Sequence, residues 1–318
     1  MQPERDSINM KTEKAKLLKQ IKRCIPLYLL MVPGMVYLII NNYMPMAGLL
    51  LAFKKVNYSV GIFASPWSGI SNFTYLFSSN DAFVMLRNTI LYNLGFIFIG
   101  NFMGLFTAIA LETVRAKWFR NLSQVIILIP FLLSTVIVSY VVFAFLSGST
   151  GFLNKSIFPL FGIESINFYA KAGYWPAIIT VVYTWMTFGY NSILYYSTLI
   201  GIDKTYYEAA VVDGATIWQQ IKFITLPCMK TTIITLVLIA VGRICYSDFG
   251  LFYQVPMNSG LLFNTTQTID TYVFRALLER NDIGRATAAG FLQSILGFVC
   301  IMVANTLVAK LDKDSSLF

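Results

Sequence analysis

Two groups of polar residues interrupt a chain that is otherwise apolar. The first is Tyr207-Glu208-Ala209-Ala210-Val211-Val212-Asp213-Gly214-Ala215, followed by Ile224-Thr225-Leu226-Pro227. Glu208 and Asp213 can meet basic groups on a partner, and Ala209 and Ala210 allow close approach. The second group is Thr180, Tyr183, Thr184, Thr187, Asn191, Tyr195 and Thr198, which fall at helical spacing along one stripe. Hydroxyls and an amide can bond a hydroxylated molecule, and aromatic faces can stack on its C–H surfaces. A plainer reading stands beside it, since Thr bonds its own i−4 carbonyl and Asn ties helices together. Both groups suit recognition better than reaction. The chain has no histidine, so the commonest general base and metal ligand is missing. Cys24, Cys228, Cys245 and Cys300 are scattered without a CxxC pair and read as free apolar fillers. None of the 20 glycines is followed by lysine. A phosphate-cradling loop needs Gly-Lys-Ser/Thr, so the chain cannot bind ATP in that manner.

The elements that position these residues follow from composition. The chain is 57% hydrophobic and 12% charged, against about 25% charged in soluble domains. Its apolar residues fall in runs near the ~20 needed to cross a bilayer as a helix. The runs predict six spans, at 26–46, 88–111, 122–146, 174–198, 230–250 and 286–308. The first follows a basic segment but lacks a small-x-small cleavage site and contains Pro33-Gly34, so it reads as a retained anchor. The polar stripe lies on the fourth span, and Pro130 is expected to bend the third. Asn93 and Asn101 on the second span are lesser lining candidates. Gly100-x-x-x-Gly104 and the small stripe Ala286, Gly290, Ser294, Gly297 suit close helix packing. Arg243 falls near the middle of the fifth span and Asp248 near its outer end, where they can pair or line a cavity.

Lys and Arg set the orientation. With six spans, 15 basic residues fall on the side of the termini and 8 on the other. The termini and the 199–229 loop are therefore expected in the cytoplasm. This placement makes the net charge of +9 a topogenic, lipid-facing feature rather than a nucleic-acid site. The outer loops, about 47–87, 147–173 and 251–285, carry Tyr58, Trp67, Phe73, Tyr75, Phe252, Tyr253 and Tyr272. These serve equally as interfacial aromatics or as a cap that meets an external partner.

The cytoplasmic loop has its own local logic. Thr205-x-x-Glu208 has capping-box spacing and predicts a helix starting at Thr205. Gly214 can end it in the left-handed conformation. Thr216-x-x-Gln219 repeats the box, Ile217, Ile221 and Ile224 share a face, and Pro227 suits the first turn of the next span. The expected result is a shallow knob along the membrane surface.

These residues resemble the EAA loop of binding-protein-dependent ABC importers, with Glu208, Ala209, Ala210, Asp213, Gly214 and Ile-x-Leu-Pro in register. Thr231 departs where many relatives carry a second proline, and Lys204 where proline is usual. The resemblance extends over nearly the whole chain. Val32-Pro33-Gly34, Tyr43-Met44-Pro45, Ser65-Pro66-Trp67-Ser68-Gly69, Arg87-Asn88-Thr89, Ser247-Asp248-Phe249-Gly250 and Thr268-Ile269-Asp270-Thr271-Tyr272 are similar to the branch carrying oligosaccharides or polysaccharide fragments.

The resemblance implies an all-α membrane protein with the six-helix type I importer permease fold. Residues 1–25 would be a cytoplasmic basic segment, and 26–85 the first span and its outer loop. Residues 86–309 would be the permease domain with the EAA loop at 205–227, and 310–318 a cytoplasmic tail. It implies a sugar-import subunit of the bacterial cytoplasmic (inner) membrane that forms half of a translocation path and is no enzyme. It has no cofactor of its own, since ATP is bound by partner subunits. The implied partners are ABC ATPase subunits, a second and often non-identical permease, an extracytoplasmic solute-binding protein and membrane lipid. Coupling would fall to Glu208, Ala209, Ala210, Asp213 and Gly214, while the stripe offers Tyr183, Thr184, Thr187, Asn191 and Tyr195 as pathway candidates. A stand-alone secondary transporter or channel is the competing reading, in which the loop is a passive connector.

Overall fold

A computed structural model describes Ile21 and residues 24–311. The expected basic segment 1–25, apart from Ile21, Cys24 and Ile25, and the tail beyond Leu311 lie outside the described residues. Among the described residues regular structure is helical, with a single isolated bridge between Lys54 and Trp67. Among the described residues four helices are long and apolar enough to cross a membrane alone, or up to six when each of two sharply bent pairs is counted as one span.

Helix α1 runs Cys24–Phe53. Pro45 cannot donate to the Asn41 carbonyl, and the chain passes through a π turn, Ile39–Tyr43, just before it. The most apolar stretch of α1 buries nothing within the chain. Only its far end packs, through Leu51 and Ala52. Helix α2, Ser71–Ser78, lies over that end, where Asn72 donates to the carbonyls of Ala52 and Lys54 at 2.8 and 3.0 Å.

Helix α3, Asn80–Thr113, has 34 residues. At 1.5 Å per residue it is about 51 Å long, well beyond the ~30 Å hydrocarbon layer, so it projects into the interfaces. The expected third span is two helices, α4 Lys117–Leu132 and α5 Thr135–Leu146, meeting at 94°. The bend is far sharper than a proline kink and falls three residues past Pro130. There Leu133 and Ser134 are extended, and Ser134 caps α5 by accepting from Val136 N.

Helix α6, Trp175–Leu199, packs along α3. Gly100 and Gly104 of α3 make that approach possible, since a Cβ on Gly104 would lie 2.8 Å from Asn191 Cβ. The polar connection holds α7, Lys204–Val212, and α8, Ile217–Cys228. A 61° bend then leads into α9, Lys230–Gly242. Pro227 therefore closes α8 rather than opening the next span.

Helix α9 has 13 residues, about 20 Å, too short to cross alone. The fifth span was expected to reach residue 250 but stops at Gly242. A Cβ there would sit 3.0 Å from Ile301 Cδ1. After a turn over Arg243–Ser247, α10, Phe249–Gln254, and α11, Ile269–Phe274, follow. Helix α12, Ile283–Leu311, closes the fold. In its small stripe Ala286 is buried and Gly297 lies against Tyr246, whereas Gly290 meets nothing within 4 Å.

The principal core joins α3, α5, α6 and α10 through Phe96, Val138, Trp175, Ile179, Leu251 and Phe252. A second joins α2, α3, α11 and α12 through Leu76, Met85, Ile269, Tyr272 and Ala289. The long connection 251–285 is ordered by hydrogen bonds. Arg87 and Asn88 donate to the Asn264 carbonyl, and Asn88 also to that of Gln267. Buried Arg275 donates to Asn258, Gln267 and Thr271 and lies 4.0 Å over the Phe263 ring. The loop aromatics therefore divide: Phe252 and Tyr272 are core residues, while Tyr58 and Trp67 are exposed.

Candidate functional site

The polar loop is a built structure. Its first helix starts one turn position earlier than the sequence spacing predicts. Asp203 is the N-cap and accepts from Thr205 N at 3.0 Å. A carboxylate is a stronger acceptor for these orphan amides than a hydroxyl, which explains the shift. The bonds from Thr205, its backbone N–H first, hold the Asp203 carboxyl below its usual pKa. Glu208 is thus released from the expected capping box. It is exposed and bonds to nothing among the described residues.

Gly214 ends α7 at φ +77°, as its type allows. Its N–H donates to the Val211 carbonyl at 3.0 Å and that of Ala215 to Ala210 at 2.8 Å, the paired bonds of a Schellman closure. The Thr216–Gln219 capping box forms. Tyr207 and Thr225 share a hydroxyl–hydroxyl bond at 2.9 Å that ties α7 to α8. Ala209 and Asp213 are exposed, and Ala210 is half-buried.

Behind the loop lies a cavity of about 280 Å³ whose lining includes Ile109, Leu199, Ile202, Tyr207, Ile221 and Thr225. The loop therefore stands against the ends of α3 and α6 instead of hanging free. Its outer surface carries an apolar ridge of which the sequence reading singled out only Ile217: Val211 and Val212 are 62% and 87% exposed, Ile217 and Trp218 64% and 78%. A short polar connection with so many bare apolar side chains is suited to a protein partner. The signal was present in the sequence as Val-Val beside Asp-Gly.

The stripe on α6 is mostly occupied by the fold itself. Thr180, Thr184 and Thr187 donate to the carbonyls four residues back, at 2.7, 2.7 and 2.8 Å. Tyr183 stacks on Phe96 with centroids 3.7 Å apart. Asn191 packs on the α3 glycines, with a long 3.4 Å bond to the Gly100 carbonyl. Tyr195 is buried and donates to Asn101 Oδ1 at 2.5 Å. Asn191 and Tyr195 thus join helices, while Tyr183, Thr184 and Thr187 stay half-exposed.

The break after α9 gathers polar groups that sequence reasoning had placed inside a continuous span. Its free carbonyls are taken by side chains. Asn93 donates to those of Ile244 and Tyr246 at 2.9 and 3.0 Å, and Gln293 to that of Cys245 at 2.8 Å. Asp270 accepts from the Ser247 N–H and hydroxyl, both at 2.7 Å, and from Gln293. Arg243 and Asp248 do not form the ion pair considered from their spacing. Asp248 caps α10 through Leu251 N at 2.9 Å, and Arg243 sits at the C-cap of α9. Asp270, Ser247 and Gln293 were not proposed as a unit. The interruption Arg-Ile-Cys-Tyr-Ser-Asp in an apolar run was the available cue.

The profile of the binding-protein-dependent transport system inner membrane components matches residues 100–315. Protein LplB of Bacillus subtilis (strain 168) is 33% identical over 295 residues, 92% of each chain. The polygalacturonan/rhamnogalacturonan transport system permease protein YteP of the same organism is 32% identical, over 98% of this chain and 97% of its own. A chain in the crystal structure of a bacterial ABC transporter involved in the import of the acidic polysaccharide alginate is similar, with a TM-score of 0.86 at 31% identity. The likeness covers 93% of this chain and 99% of that one. A chain of a bacterial alginate ABC transporter, in complex with an alginate pentasaccharide-bound periplasmic protein, gives 0.84.

Proposed function

We propose that this chain, which belongs to the family of binding-protein-dependent transport system inner membrane components, passes oligosaccharides or polysaccharide fragments across the cytoplasmic membrane. It is a multi-pass permease subunit of an ABC importer and not an enzyme; ATP hydrolysis belongs to a partner ATPase. The observation that carries the sugar reading is near-full-length likeness to permeases named for glycan transport, YteP and the alginate importer among them. The competing reading, a stand-alone transporter or channel, finds no support in these relatives.

In this reading the exposed ridge of α7 and α8, with Glu208 and Asp213 beside it, docks on the ATPase. The bare flanks of α1 are covered by lipid and by a second permease chain. A solute-binding protein delivers sugar to the far face. ATPase closure draws the two loops together, the helix bundles rock, and the path opens outward; hydrolysis returns it inward. Because α7 and α8 brace the ends of α3 and α6, a displacement of the loop moves the helices that bear the polar stripe.

Affinity purification through this chain should bring down an ATPase, and sugar uptake by the reconstituted assembly should require ATP. Uptake by the chain alone, without nucleotide, would sink the reading. Orientation has a separate check, from the charge asymmetry. In a cysteine-free variant, Tyr58→Cys should react with an impermeant thiol reagent in intact cells and Lys204→Cys should not. Reversed labelling would overturn a cytoplasmic loop.

A further inference from the structure

A polar cleft of about 510 Å³ opens where α1 ends, α2 crosses and α12 begins. It lies at the other end of the fold from the 199–229 loop. Helix α3 spans the two: it starts at Asn80 beside α2, and its Ile109 and Thr113 reach the cavity behind the loop. Lys54, Lys55, Arg280 and Arg285 line the cleft against one acid, Asp282.

The walls are fixed by the fold. Gly284 brings α12 so close that a Cβ there would lie 2.9 Å from Asn72 Nδ2 and 3.1 Å from the Lys54 carbonyl oxygen. Phe53, Phe73 and Phe291 join α1, α2 and α12 nearby, with ring centroids 5.3, 5.7 and 6.0 Å apart. Asn281 turns the chain at φ +53°, and the Asp282 N–H donates back to the Ala276 carbonyl at 2.8 Å. Asp282 accepts in turn from Arg285 N at 3.1 Å.

The cations differ in what already holds them. Lys54 is buried, donates to the Phe63 carbonyl and lies 5.1 Å from the centre of the Trp67 ring. Arg285 pairs with Asp282 at 3.1 Å and lies 3.4 Å over the Tyr75 ring. Lys55 and Arg280 are exposed, and neither has a side-chain hydrogen bond or ion pair among the described residues. A lone basic side chain at a membrane interface often does no more than reach for water. Two unpaired cations on one walled cleft leave a positive charge that has a shape.

The surroundings decide what fills it. Helices α1 and α12 run from the cleft straight into the apolar layer, and the most apolar stretch of α1 buries nothing within the chain. Leu50 on α1 and Ile295 and Phe298 further along α12 are bare, as are Trp67 and Ile70 beside the cleft. Charge at headgroup level, aromatics beside it and hydrocarbon-facing helices below follow the layout of a phospholipid.

We propose that the cleft binds the phosphodiester of an anionic phospholipid. Arg280 and Lys55 meet the phosphate oxygens, for which a guanidinium fork is well matched. Ser71 and Tyr75 offer hydroxyls to the glycerol, and the acyl chains run along α1 and α12. The lipid thereby clamps the far end of the otherwise bare α1 to the body of the subunit. This needs only the membrane placement and holds whatever the importer carries.

The test uses the importer purified with its sister permease, ATPase and solute-binding protein. Bound lipid is counted by native mass spectrometry over a titration with phosphatidylglycerol or with phosphatidylcholine of the same acyl chains. Wild type should retain phosphatidylglycerol under conditions that strip phosphatidylcholine. Lys55→Gln combined with Arg280→Gln should raise the phosphatidylglycerol concentration needed for that occupancy about tenfold or more. Lys171→Gln, at an exposed lysine elsewhere on the same face, should leave it unchanged. Equal retention of the two lipids by wild type, or unchanged occupancy in the paired variant, would overturn the site. A paired variant that keeps its lipid but loses the solute-binding protein gives the cleft to a protein carboxylate and also overturns it. Inorganic phosphate is the third probe: if it binds without lipid and displaces phosphatidylglycerol, the occupant is free phosphate and the lipid assignment falls. Assembly is followed by ATPase co-purification. Should the paired variant not assemble, Arg280→Gln alone decides, a several-fold loss supporting the site and no loss overturning it.

Discussion

Gly189→Ala will prevent the subunit from accumulating in assembled form, whereas Gly95→Ala will not. A Cβ at Gly189 would stand 1.9 Å from the Ile127 carbonyl oxygen and 2.5 Å from its carbon. Both are backbone atoms of α4, so no rotamer change relieves the clash, and α4 and α6 must move apart. Overpacking that side chains can share costs about 1–3 kcal/mol; here the displaced object is a helix axis in a close-packed interior. At Gly95 on α3 a Cβ meets nothing within 4 Å, and alanine there gains up to about 1 kcal/mol in helix propensity. Quantifying membrane-inserted subunit and co-purified ATPase checks the pair. Equal recovery of both variants would show that the α4–α6 contact is looser than described.

Loss of coupling is the second large effect expected. Gly214→Val should insert normally yet show little sugar-stimulated ATP hydrolysis. The φ of +77° costs an L residue about 1–2 kcal/mol, and a β-branched one is the worst fit. No neighbour lies within 4 Å to be displaced, so the damage is confined to the angle between α7 and α8. Glu208→Gln tests the surface rather than the hinge. Asp203 is the cap, so this change leaves α7 intact and removes only a charge. If Glu208 forms a shielded charge-assisted bond with the ATPase, its loss costs about 1–3 kcal/mol, and the ATPase should be retained more weakly on purification. Normal transport by both variants with the ATPase fully bound would exclude the loop as the coupling element.

Local features were legible where the sequence alone determines them. The Thr216–Gln219 box, the left-handed Gly214 and the Gly100/Gly104 contact depend on a few adjacent residues or on a missing Cβ, and all three are present. Hydropathy located α3, α6 and α12 because their apolar runs are unbroken. The fifth span misled because its break is stabilised from a distance. Asn93 is about 150 residues away and Gln293 about 50, and no window near residue 243 contains them. Helical spacing likewise placed Tyr195 on the polar stripe but could not show that its hydroxyl is spent on Asn101. The cap at Asp203 was missed for a smaller reason: two acceptors two residues apart competed, and the carboxylate prevailed over Thr205.

This permease is expected to receive force through the ridge between α7 and α8. Val212, 87% exposed at the end of α7, is the place to ask. A photoactivatable maleimide on Val212→Cys, in an otherwise cysteine-free assembled importer, should cross-link to the ATPase, with a yield that changes on adding nucleotide. Adducts only to lipid, in a complex that still imports sugar at the normal rate, would contradict the account.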